Sequence, residues 1–219
     1  MMKKVTYLLL ASLIVSMVAC SGKKKRVEKV EAPEEPDSTI MVQLQKVTDD
    51  SITFLQIDAK RTRTLGYADA RRSNSVHGTL AVGDTLAVVP MFKQKLALSV
   101  VNVSELTGLW MFEGNSGTGM RLNADGAACD VGPSEVTLRE WKLRNGHFIL
   151  VYVPADGSDY NEKSDTSTII SLDKDHFSYT LKGNEKRCSK VKGQINCSIS
   201  TRIVTEPFMY LLVKASNLD

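Results

Sequence analysis

Histidine is scarce in this 219-residue chain, with three copies at His77, His147 and His176, each in a different stretch. No His-x-x-x-His or Cys-x-x-Cys spacing occurs, so a metal site built from local ligands has no support. The chain also lacks a Gly-x-Ser-x-Gly turn and a phosphate loop that opens a helix. Gly114–Gly119 is glycine-rich, but it lies between two strand-like runs and reads as a hairpin loop. An excess of one charge is lacking too: the formal net charge is +3. Removing residues 1–19, which hold Lys3 and Lys4 and no acid, leaves +1. Nucleic-acid binding needs a concentrated basic face, and this balance argues against it. No run repeats its apolar residues at a sustained helical period, which points away from a helical protein. What remains is an ordinary core-forming composition, 42% hydrophobic and 6% aromatic.

The first 20 residues form a compartment signal. Lys3 and Lys4 precede the apolar run Val5–Val18, which is too short for a membrane span and fits a signal-peptide core. Met17-Val18-Ala19-Cys20 follows, with a small residue directly before the cysteine. The segment resembles a bacterial lipoprotein signal, with Met17 where leucine is usual. The resemblance implies cleavage after Ala19 and acylation of Cys20, which would anchor the protein to a membrane. Each buried acyl methylene contributes about 0.8 kcal/mol, so several chains hold effectively permanently. The alternative is an ordinary secretory peptide with an incidental Cys20.

Residues 20–38 then read as the lipidated cysteine and a tether too polar to bury an ordered core. Lys23–Arg26 would meet anionic headgroups beside the anchor, or serve as a solvated spacer. In style the chain resembles lipoproteins of the Bacteroidota, where acidic residues after the cysteine direct surface export. The basic cluster here implies an outer-membrane anchor facing the periplasm.

From Thr39 onward the pattern is β. Thr39–Val47, Ser51–Asp58, Val76–Val82, Thr85–Met91 and Lys95–Val103 alternate or are β-branched, with turn signals at Asp49-Asp50 and Gly83-Asp84. Residues 39–104 are therefore expected to form a small barrel of the oligonucleotide-binding-fold or SH3-like kind. Lys60–Arg63, with Arg71-Arg72, could present a basic ligand face, although such residues more often form a solvated loop.

Residues 105–219 form a second, larger all-β unit that follows without a flexible linker. Strands are expected near 108–113, 118–124, 127–131, 136–143, 147–153, 166–173, 176–182, 186–191, 194–204 and 208–214. An Asn145-Gly146 turn pairs Leu143 with Phe148 and Trp141 with Leu150, which puts all four on one face. Phe177, Tyr179 and Leu181 share another face, and residues 154–165 form the longest loop. A second turn at Lys192-Gly193 would set Cys188 opposite Cys197 at a closely spaced pair, suited to a disulfide. Closing that loop of about 10 residues would contribute roughly 2–3 kcal/mol. Cys129 would remain a buried free thiol.

Leu106-Thr107-Gly108-Leu109-Trp110, Gly119–Ala128, Trp141-Lys142-Leu143, Phe148-Ile149-Leu150 and the strands ending at Leu181 resemble, in order and spacing, the lipocalin-like domains of Bacteroidota lipoproteins. The resemblance implies an antiparallel barrel whose Trp110 plugs the base under a basic residue of the last strand, with Arg202 as the available partner. It implies a small apolar or amphipathic ligand, lined by Trp141, Leu143, Phe148, Leu150, Phe177 and Tyr179. It implies no catalytic residue, metal or cofactor. The competing expectation is an envelope interaction module that binds a protein or glycan partner while its aromatics fill a dry core.

Overall fold

The computed structural model describes residues 36–192 except 116. The expected signal segment, lipidated Cys20 and nearly all of the tether lie outside them. So do Cys197, Arg202 and the strands expected at 194–204 and 208–214.

The architecture is all-β. Strands β1 (Ile40–Val47), β2 (Ser51–Gln56) and β3 (Arg61–Gly66) form a meander, followed by the short helix α1 (Ala68–Arg72). Next come β4 (Val76–His77), β5 (Thr85–Met91) and β6 (Leu96–Asn102). The strand order is β3-β2-β1-β5-β6-β4. A parallel pairing at Gly66 and Leu96 joins β3 to β6, so five strands close and β4 lies outside the ring. This is a five-stranded barrel of the oligonucleotide-binding kind, with its helix between the third strand and the last two. Val42, Leu44, Ile52, Phe54, Leu86 and Val100 fill it. Alternation delivers them: in β1 only Val42 and Leu44 are buried, with exposed neighbours between and beside them.

Two readings of this half are corrected. Lys60–Arg63 is mostly strand, not loop, because every residue of β3 pairs with β2. Its outward side chains are basic or threonine, which hides the strand's single buried residue, Leu65. The expected strand Val76–Val82 shrinks to two residues. Beyond His77, Asn102 donates to the Thr79 carbonyl and to Asp84 Oδ2 (2.7 Å), while Thr79 N–H donates to Glu105 Oε2 (2.8 Å). Those side chains occupy the polar groups that a strand neighbour would have taken.

Helix α2 (Val103–Leu106), capped by the Asn102 side chain on Glu105 N–H (3.0 Å), leads into the second sheet. That sheet comprises β7 (Gly108–Phe112), β8 (Gly119–Leu122), β9 (Ala128–Val131), β10 (Val136–Arg144), β11 (His147–Pro154), β12 (Lys163–Leu172), β13 (His176–Leu181) and β14 (Asn184–Val191). Its order, β10-β11-β12-β13-β14-β7-β8-β9, is antiparallel throughout. An Ala127–Glu140 bridge and the Trp141 N–H to Gly126 carbonyl bond (2.8 Å) bring the two ends together. The Asn145-Gly146 turn forms with both residues at positive φ (50° and 81°), and Leu143 pairs with Phe148 and Trp141 with Leu150.

The hairpin expected at Lys192-Gly193 has its counterpart ten residues earlier. Lys182 (φ 51°) and Gly183 (φ 79°) turn β13 into β14. Strand β14 is then paired on one edge by β13 and on the other by β7. Cys188 faces Phe177 on one side and Phe112 on the other, so no edge is left for a strand carrying Cys197. Cys188 is accordingly a free, buried thiol and not half of a Cys188–Cys197 disulfide. Cys129, expected free, is disulfide-bonded, and its partner lies outside the described residues.

Candidate functional site

The base of the larger barrel is built around Trp110. Its ring is fully buried, and its indole N–H donates to the Leu106 carbonyl at 2.7 Å. A basic side chain does lie over it, but that side chain is Lys190 of β14, with Nζ 4.8 Å from the ring centroid. Lys190 Nζ also donates to the Glu105 carbonyl at 2.5 Å. Burial holds its pKa below the ordinary lysine value, against the opposing pull of Glu105 and Asp175. The lysine reaches Trp110 across Gly108, whose φ is +136°. A methyl group at Gly108 would come within 2.7 Å of Lys190 Cε. The glycine of the Gly-x-Trp motif thus clears the path of the lysine. Alternation from inward Cys188 puts Lys190 on the same face, which is the sequence signal that would have found it.

Above this plug, aromatic rings pack on one another. Phe177 lies 5.5 Å from Trp110, 5.0 Å from Tyr179 and 5.4 Å from Phe148, and Phe148 lies 5.4 Å from Tyr179 and 6.4 Å from Trp141. These tilted, edge-on and stacked contacts add about 0.5–1.5 kcal/mol per pair beyond burial. Of the six expected lining residues, Trp141, Phe148, Leu150, Phe177 and Tyr179 are buried in this cluster, and Leu143 packs on it half-buried. The rings therefore form a floor.

Toward the other end the interior changes character. Phe112, Leu138 and Leu181 are only partly buried, although they pack on the same cluster. One hydroxyl, that of Ser167, faces inward without a protein partner among the described residues, and the Tyr179 phenol is buried among the rings. Ser167 Oγ is sealed from solvent and unsatisfied, on a residue paired with Phe148. Tyr179 is 1% exposed, and burial pushes its phenol well above the ordinary value. At the rim, Lys182 Nζ pairs with Asp165 Oδ2 (3.2 Å) and contacts Tyr152 Oη (3.4 Å). The loop expected at 154–165 is shorter, spanning 155–162 because β12 already begins at Lys163, and its Tyr160 is 87% exposed. Ser167 was missed because a hydroxyl in a strand gives no sequence signal of being unpaired.

Among the described residues, no group of three or more His, Cys, Asp or Glu side chains could hold a metal. No helix among them is long and apolar enough to cross a membrane.

Comparison with known proteins agrees with this geometry. Residues 103–191 match the model of the lipocalin-like family, which is the part running from α2 to the end of β14. A crystal structure described as a lipocalin-like protein from Bacteroides thetaiotaomicron is 26% identical, with 40% of this chain and 97% of that chain covered and a TM-score of 0.35. No curated protein matches. By the family match, residues 103–191 of this antiparallel barrel are similar to the lipocalin-like family.

Proposed function

We propose that this protein is a lipid-anchored, non-catalytic binding protein of the cell envelope, whose larger barrel takes the apolar part of a small amphipathic molecule. The observation that carries the reading is the unpartnered, buried hydroxyl of Ser167 beside the aromatic cluster. Leaving a buried hydroxyl unmade costs about 1–3 kcal/mol, which a dry core would avoid. A ligand oxygen recovers it, while the half-buried Phe112, Leu138 and Leu181 offer apolar contact near the open end. Anchoring through Cys20 rests on the lipobox-like Val18-Ala19-Cys20.

Native mass spectrometry and solvent extraction of protein purified from its membrane test the binding. Bound small amphiphile is expected in the native protein and is expected to fall in a Ser167→Val variant. An empty barrel, with Ser167→Val simply more stable, would favour the interaction-module reading, in which the ring cluster is only a core. Cys20→Ala should move the protein to the soluble periplasmic fraction, and continued membrane association would end the lipoprotein reading.

A further inference from the structure

A second concavity, of about 760 Å³, lies outside the larger barrel, where β4 and α1 of the small barrel meet β12 of the large one. Its size is within the range of small-molecule sites. Two features make it a built site. The first is His77, which is 8% exposed and lines the groove. Its strand neighbour Val76 packs on the small barrel's core, so alternation turns the imidazole away from that core. No described residue hydrogen-bonds the imidazole, yet its nitrogens are not sealed off as Ser167 Oγ is. Burial lowers its pKa, so at neutral pH it offers one N–H donor and one acceptor.

The second feature is Arg71, the groove's cation, which forms no ion pair among the described residues. Its position is fixed nonetheless. Nη1 donates to the Asp49 carbonyl (2.6 Å), the guanidinium lies 5.7 Å from the Tyr67 ring centroid, and Tyr67 Oη donates to the Thr48 carbonyl (2.9 Å). One of five donors is used, and the fork is held ready. Asp49 is the groove's only carboxylate, so the field there is weak and recognition falls to the fork's geometry. Leu80 and the exposed Ile170 supply apolar wall. The walls are held in register by the Gly78 N–H to Leu172 carbonyl bond (3.1 Å) and the Asn102–Glu105 network.

We propose that this groove binds a small amphipathic oxyanion, with its carboxylate or phosphate on Arg71 and His77 and its apolar portion on Leu80 and Ile170. The planar guanidinium fits either head group in bidentate fashion. The neutral imidazole adds an N–H without adding charge. The exposed Ile170 would gain cover, and Leu80, partly covered by the small barrel, would gain more.

The test uses the full chain with labelled histidines, titrated with octanoate, octyl phosphate, inorganic phosphate and octanol. Only three imidazoles need resolving. Octanoate or octyl phosphate should shift His77 saturably, leaving His147 and His176 in place, and the tighter of the two identifies the preferred head group. Inorganic phosphate and octanol should bind weakly, each lacking half of the ligand. Arg71→Gln should weaken binding roughly tenfold or more, the loss of a charge-assisted pair. Ile170→Glu, at a position 45% exposed, should do the same by opposing the anion. Ser167→Val should leave the His77 response unchanged, which separates this groove from the barrel interior. A silent His77, octanol binding as well as octanoate, or undiminished binding in both Arg71→Gln and Ile170→Glu would overturn the proposal.

Discussion

Gly108→Ala is the sharpest probe of the barrel base, because the structure divides its cost into two parts. The backbone at +136° strains any side chain, by about 1–3 kcal/mol. The new methyl would also meet Lys190 Cε at 2.7 Å, a contact that swinging the lysine off Trp110 relieves. Doing so gives up a partly desolvated cation–π contact of about 0.5–2 kcal/mol. It also weakens the Nζ bond to the Glu105 carbonyl, where charged hydrogen bonds are worth about 1.5–3 kcal/mol. Exposure of the freed ammonium recovers part of this loss, so the net destabilisation should be roughly 2–4 kcal/mol. Urea unfolding of wild type, Gly108→Ala, Lys190→Ala and the double variant closes a cycle. With the lysine truncated only the backbone share should remain, giving a coupling of about 1–2 kcal/mol. A glycine effect of the same size in both backgrounds would show that Gly108 does not serve the lysine. An effect below about 1 kcal/mol would refute the strain as well.

Three further outcomes follow from the same geometry. Trp110→Ala should cost about 3–5 kcal/mol in the same urea assay, since it empties the base and orphans the Leu106 carbonyl. The Cys188 thiol, pushed up to about 12 mainly by burial and then by the Glu113 charge, should resist alkylation until the protein unfolds. Peptide mapping without reductant should find it unlinked while Cys129 is linked, and a Cys188 disulfide would contradict the two-sided pairing of β14. His77 titrates below its ordinary 6.5 because burial disfavours its charged form. Its contribution is therefore whole above that value and is lost as pH falls through it toward the folded pKa. The urea midpoint of wild type should drop between pH 7.5 and 5.5 more than that of His77→Gln, and equal slopes would place the imidazole in contact with solvent.

The larger barrel was legible where local chemistry dictates geometry. Asn145-Gly146 sets a turn that accepts positive φ at both central positions, and the register of β10 and β11 follows from it. The small barrel was legible where apolar residues alternate, as in β1, and illegible in β3. That strand's membership depends on β2 beside it and on closure to β6, contacts that no residue of Arg61–Gly66 announces. Helix α1 is five residues long, too short for a period to register.

The misplaced disulfide shows how a site can be lost through one wrong neighbour. Lys182-Gly183 and Lys192-Gly193 are the same dipeptide, each following a strand-like run, and local turn chemistry cannot rank them. What separates them is the ladder: once β13 and β14 pair through the first, β7 must take the other edge of β14 for the sheet to come round. That closure sends Cys188 inward against Phe177 and carries Lys190, on the same face, over Trp110. The basic partner of the tryptophan is thus chosen by barrel closure, whereas the sequence offered Arg202 only as a possible one. His77 went unread for a related reason, and Arg71 showed only as part of a possible basic ligand face. They stand on β4 and α1, and they become a site only where those elements face β12, more than ninety residues away in the chain.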